Sequence, residues 1–129
     1  MISFQAFRQT DGTPIYLQII RYIQQGLAAG TIRDGDEQPS RRVLSALLAV
    51  NPNTVQKAFR LLEDEGLVTS RAGAKSYIQA TPEQIAVLRR ELLETELQTM
   101  VDAARRMGLT REEAHRLLDT LYDKEGTDA

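Results

Sequence analysis

The chain contains no cysteine, which excludes disulfides, zinc–thiolate sites and thiol chemistry. Histidine occurs once, at His115. It has Glu112 three residues before it and Asp119 four after. That is short of the three or four converging ligands a metal needs, so it reads as a solvated helix residue rather than a metal or hydrolytic centre. No glycine-rich phosphate loop follows a strand, and no nucleophile has a plausible base beside it. An enzyme is therefore not expected, and neither is a cofactor. No apolar run approaches the ~20 residues of a membrane span, and Met1-Ile2-Ser3-Phe4 lacks the basic-then-apolar pattern of a signal peptide. The expectation is a cytoplasmic protein without a membrane partner.

What is present is 129 residues, 42 % of them apolar. This is enough for one modest core, and a dimer partner would help to bury what remains. The net charge is −2, but it is unevenly spread. Residues 1–80 hold nine Lys/Arg and seven Asp/Glu, a net of +2; residues 81–129 hold seven and eleven, a net of −4. The basic excess lies where two helix starts fall close together.

Those starts are Pro39-Ser40-Arg41-Arg42 and Val50-Asn51-Pro52-Asn53-Thr54-Val55. Ser40 can cap one helix and Asn51 the next, with Pro52 at the first helical position, where its missing N–H costs nothing. The first of these helices runs to about Leu48. Its Val43, Leu44, Leu47 and Leu48 are expected to face inward. The second runs from Pro52 to about Glu65, with Val55, Ala58, Phe59 and Leu62 as the buried stripe and Gly66 as the left-handed cap. Before them, Thr13 should cap a helix that starts at Pro14, carries Ile15, Ile19, Tyr22, Ile23 and Leu27 inward, and ends at Gly30. After them, Leu67–Arg71, a turn at Ala72-Gly73-Ala74 and Lys75–Gln79 read as a hairpin.

Thr81-Pro82-Glu83-Gln84 and Thr110-Arg111-Glu112-Glu113 are capping boxes. The first opens a helix toward Met107 and Gly108, with an apolar face through Ile85, Leu88, Leu92, Leu93, Leu97, Met100, Val101 and Ala104. The second opens a helix carrying Ala114, Leu117, Leu118, Leu121 and Tyr122, with the tail after Glu125 frayed. The fold expected is mainly α. Residues 1–12 form an N-terminal arm, 13–80 a winged helix-turn-helix with a small two-stranded wing, and 81–129 a helical hairpin that dimerises through Leu88, Leu92, Leu97, Met100, Leu117 and Leu121.

Removing the buried stripe of the second helix leaves Asn51, Asn53, Thr54, Gln56, Lys57 and Arg60 toward its start. Amides pair bidentately with adenine, and the free N–H groups of a helix start bind phosphate. The same residues would also suit a solvated helix face. Arg41 and Arg42 oppose the helix dipole, so local stability does not explain them. A phosphate or base edge would, as would pairing with Asp34, Asp36 or Glu37. Arg71, Gly73 and Lys75 surround a turn small enough to approach a DNA backbone, or simply a hairpin with two exposed bases.

Residues 14–78 resemble the winged helix-turn-helix of the GntR family of bacterial transcription regulators. The resemblance rests on Pro14-Ile15-Tyr16-Leu17-Gln18-Ile19-Ile20, Gly30-Thr31-Ile32, Gly35-Asp36, Pro39 to Leu44, Val50 to Val55, Leu62 to Val68 and Arg71-Ala72-Gly73. The short helical pair that follows is similar to that of the YtrA subfamily. The resemblance implies a homodimeric repressor on a palindromic double-stranded DNA operator, often of its own operon and of transporter genes. It maps the second-helix arginine to Arg42, the recognition-helix start to Asn51, Pro52, Asn53, Thr54 and Gln56, and the wing tip to Ala72 and Gly73. Arg41, Lys57, Arg60, Arg71 and Lys75 then mainly position the DNA backbone, and Ser40 and Gly73 join the expected DNA-binding set. Against the family pattern, Asp34 stands where proline is usual and Gln38 where an apolar residue is usual. Ala49 replaces a turn glycine, which predicts a tighter or differently shaped turn, and Lys75 replaces a wing glycine. The alternative function is a winged-helix module that binds protein, which the net negative charge suits.

Overall fold

The computed structural model describes residues 1–71 and 75–128. In chain order the elements are α1 (Ile15–Ala29), α2 (Arg41–Leu48), α3 (Pro52–Asp64), β1 (Val68–Arg71), β2 (Lys75–Ile78), α4 (Pro82–Arg106) and α5 (Arg111–Asp128). The chain divides into two compact units, Met1–Arg90 and Glu91–Ala129.

In the first unit α3 packs against α1, α2 and β1. Ile19, Ile23, Leu27, Leu44, Val55 and Leu62 are sealed from solvent at the centre. Burying each such side chain stabilises the fold by about 1.5–3 kcal/mol. The stripe read on α3 is the stripe that is buried. The N-terminal residues are not a loose arm. Ile2, Phe4 and Phe7 belong to the same core, and the rings of Phe4 and Phe7 pack on Tyr22 at 4.9 and 5.5 Å between centroids.

Thr13 does not cap α1. Pro14 takes the cap position, without a side-chain bond, and the helix begins at Ile15. The buried Gln18 serves the turn before it instead. Its amide oxygen accepts from Thr10 N, and its Nε2 donates to Thr10 O and Thr13 O. α1 ends at Gly30 in the left-handed region, φ 83°.

A second correction concerns α2. Leu44 is buried and Leu48 partly so, but Val43 is 52 % and Leu47 63 % exposed. One eight-residue helix presents one face to α3. That face is Leu44 with Ser45, whose hydroxyl donates to Arg42 O and so satisfies itself in the interior.

The α2–α3 turn keeps the glycine geometry despite Ala49, which sits in the left-handed region at φ 57°, ψ 46°. Asp34, at the other unusual position, accepts from Ala80 N at 2.9 Å and ties the loop after α1 to the end of the wing. β1 and β2 pair antiparallel, Val68 opposite Ile78 and Arg71 opposite Lys75. The hairpin turn expected at Ala72-Gly73-Ala74 lies outside the described residues. Glu37 bridges Tyr77, and Ile2 N donates to Glu37 O. The wing base is thus braced by two further segments.

Thr81 and Gln84 form the reciprocal bonds of a capping box at α4. Ile85 and Leu88 of this helix pack on the core of the first unit. Thr110 and Glu113 form the matching box at α5. Hydrogen bonds from the Thr110 backbone and hydroxyl hold the Glu113 carboxyl below its ordinary pKa. α5 continues past Glu125 to Asp128. In the second unit Leu93, Leu97, Met100 and Val101 of α4 and Leu117, Leu118 and Leu121 of α5 are 36–52 % exposed.

Candidate nucleic-acid interface

Two helix N-termini carry the candidate residues, and each is set by its cap. Ser40 Oγ accepts from Val43 N at 3.1 Å, which starts α2 and places Arg41 and Arg42 in its first turn. Asn51 Oδ1 accepts from Asn53 N at 2.8 Å, and Pro52 follows at the first helical position of α3. Neither helix has an acid in its first turn. Their dipoles and unpaired N–H groups therefore add to the arginine charge instead of being neutralised. Glu63 and Asp64 sit at the opposite end of α3.

The two starts face each other. Arg41 Nη1 donates to Gln56 Oε1, across from α2 to α3. Asn51, Pro52, Asn53, Lys57 and Arg60 are exposed, while Thr54 and Gln56 are half-buried. Arg42 is exposed, and among the described residues no partner is recorded for it. Among the described residues Arg42 makes no ion pair with Asp34, Asp36 or Glu37, and the Asp34 and Asp36 carboxylates accept from backbone, Asp34 from Ala80 N and Asp36 from Arg33 N.

Lys57 is held in a way the sequence did not signal. Its Nζ lies 4.1 Å from the centre of the Tyr16 ring of α1, a cation–π contact that fixes the side chain while leaving the residue exposed. Tyr16 had no marker in the sequence beyond its place on a helix. In the wing, Arg71 stacks on Tyr77 at 4.5 Å and stands directly across from Lys75. Like charges opposite each other destabilise a strand pair. An anion between them would relieve this. Gly73 lies outside the described residues.

α2 and the wing flank a shared cleft of about 340 Å³, lined by Ser40, Arg41 and Val43 on one side and Lys75 and Ser76 on the other. Gln38 also borders it, 2 % exposed. Among the described residues neither its amide nitrogen nor its oxygen has a hydrogen-bond partner. Among the described residues no group of three or more acidic, histidine or cysteine side chains is placed to hold a metal, and no helix is long and apolar enough to cross a membrane.

Of the dimer residues expected from sequence, Leu97, Met100, Leu117 and Leu121 are 43–52 % exposed. Leu92 is half-buried. Leu88 packs on the core of the first unit and is engaged there.

A three-helix core with capped helix starts side by side and a two-stranded wing is a winged helix-turn-helix, the architecture of a DNA-binding regulator. Residues 15–78 match the family described as bacterial regulatory proteins, gntR family. The chain is 33 % identical over 106 residues to the HTH-type transcriptional repressor YtrA of Bacillus subtilis, covering 81 % of this chain and 82 % of that one. The chain belongs to the GntR family of DNA-binding transcriptional regulators. Among solved structures it is similar to a GntR family transcriptional regulator from Listeria monocytogenes, with a TM-score of 0.79 and 27 % identity over 87 % of this chain and 98 % of the other. It is also similar to YtrA from Sulfolobus acidocaldarius, with a TM-score of 0.56 and 29 % identity over 78 % and 99 %.

Proposed function

We propose that the chain acts as a homodimeric repressor of a two-fold symmetric DNA site. The observation that carries this reading is the adjacency of the two helix starts, expressed in the bond from Arg41 to Gln56. It ties the start of α2, with the exposed Arg42, to the start of α3, with the exposed Asn51 and Asn53 and the half-buried Thr54 and Gln56, in one basic and amide region. In this reading the start of α3 enters the major groove, where Asn and Gln side chains meet base edges. Arg42 contacts a base edge or an adjacent phosphate. Ser40, the backbone at Pro52, Lys57 and Arg60 hold the phosphate backbone, as does Arg71 with Lys75 at the wing. The Arg71–Lys75 pair supports this, because a phosphate between the two cations removes their repulsion.

The exposed leucines of α4 and α5 support dimerisation through the second unit. Large apolar side chains there, Leu97 and Leu121 among them, lack cover, and a second copy would bury them. Repression is supported by the designation of YtrA of Bacillus subtilis.

Selection of bound sequences from random double-stranded DNA tests the reading. The wild-type chain should enrich an inverted repeat. Arg42→Ala should weaken binding to that repeat by roughly five- to 150-fold, about 1–3 kcal/mol, with the circular-dichroism spectrum unchanged. Enrichment of no sequence, or an Arg42→Ala variant of unaltered affinity, would overturn it.

A further inference from the structure

We propose that Arg41 and Gln56 act as one reading head that selects guanine, with Arg41 setting which base the Gln56 amide reads. The inference rests on the DNA-binding reading above.

A free glutamine amide offers one donor and one acceptor, the pattern that matches N7 and the N6 amino group of adenine. Gln56 is not free in that sense. Its Oε1 accepts from Arg41 Nη1. The guanidinium has five N–H donors and no acceptor. Joined to the amide oxygen, it leaves Gln56 Nε2 and its own remaining N–H groups as the outward polar surface. The lone pair still open on Oε1 lies beside a full positive charge, an unfavourable place for an incoming amino group. The combined surface donates and does not accept. In the major groove, guanine is the base that shows two acceptors, O6 and N7, while adenine and cytosine present amino groups.

The position of the pair suits this role. Gln56 lies one turn into α3, beyond the Asn51 cap and Pro52. It is half-buried, so its amide is confined, whereas Arg41 is exposed and reaches across from α2. Arg41 has no acid in its own helical turn to draw it elsewhere. The charge that first looked like a backbone contact is thus engaged with a side chain of the base-reading helix.

The test compares sequences selected from random DNA by the full chain and by Gln56→Ala, Arg41→Ala and Arg41→Lys. Gln56→Ala should flatten preference at one position of each half-site, which identifies the base being read. The wild type should carry guanine there. Arg41→Ala should change that position to adenine, a swing of roughly tenfold in relative affinity between the two bases, with the rest of the site unchanged. Arg41→Lys, which keeps a charge and a donor, should retain guanine. A wild-type preference for adenine at that position would overturn the proposal, as would an Arg41→Ala variant that keeps the wild-type base, or a Gln56→Ala variant that flattens nothing. Loss of all sequence selection in a folded Arg41→Ala variant would make Arg41 a backbone contact and overturn it too. If the wild type itself selects no sequence, the DNA-binding reading fails first, an outcome distinct from the others.

Discussion

Gln38 is poorly matched to its surroundings. Both polar atoms of its amide are buried without partners among the described residues, and a donor or acceptor left so costs about 1–3 kcal/mol. Leucine fills a similar volume without that penalty. Gln38→Leu should therefore raise stability by about 1–3 kcal/mol, read as a higher melting temperature. A lower one would show that the amide finds partners in solution. At this scale the sequence was partly legible. That position 38 departs from the family pattern was readable; that its amide would be buried was not, because the segment is held there by a partner distant in the chain, Ser76, whose carbonyl accepts from Gln38 N. Lys57 was legible as exposed and basic. The ring beneath it was not, because Tyr16 comes from a helix forty residues earlier.

Among the elements, local chemistry decided most of what could be read. The caps at Ser40 and Asn51 and the boxes at Thr81 and Thr110 form as their residues predict, since each depends on bonds spanning two or three residues. The errors came where a second element had a say. The apolar pattern of α2 contains two stripes, and only contact with α3 determines that Leu44 goes in while Val43 and Leu47 stay out. Thr13 does not cap α1, because Pro14 occupies the cap position and the Thr13 carbonyl instead accepts from the Gln18 amide. The turn between α2 and α3 holds the left-handed geometry with an alanine, which costs roughly 1–2 kcal/mol relative to a residue without a Cβ. Ala49→Gly should relieve that strain. Allowing for the greater unfolded-state entropy of glycine, a net gain of about 0.5–1 kcal/mol is expected in denaturant unfolding. A loss of stability would mean that the turn is not strained in solution.

For the whole molecule, the proposed two-fold dimer would bring two reading surfaces to one DNA site about one helical turn apart, which is why an inverted repeat is the expected target. The exposed face of the second unit is the proposed means. Leu97, 50 % exposed near its middle, is the position to probe. Leu97→Glu should place a charge in the buried interface and convert the protein to monomers, read by light scattering behind size exclusion, with weaker binding to a full inverted repeat. A soluble variant that remains fully dimeric would place the interface elsewhere. The amphipathic pattern of α4 and α5 was legible at this scale. The pattern alone could not divide its leucines between the first unit's core, which takes Leu88, and the open face.

The bracing at Glu37 has a consequence for anyone wishing to transplant the DNA-reading helices. Ile2 joins Glu37 from one side and Tyr77 from the other, while Phe4 and Phe7 close the core that α3 rests on. α2 and α3 are therefore not a cassette. Grafted alone onto another scaffold, they would leave Leu44, Val55 and Leu62 facing water, and the angle between the two helix starts would no longer be held. The smallest portable reader is the whole first unit, from residues 2–7 at one end to Ile85 and Leu88 of α4 at the other.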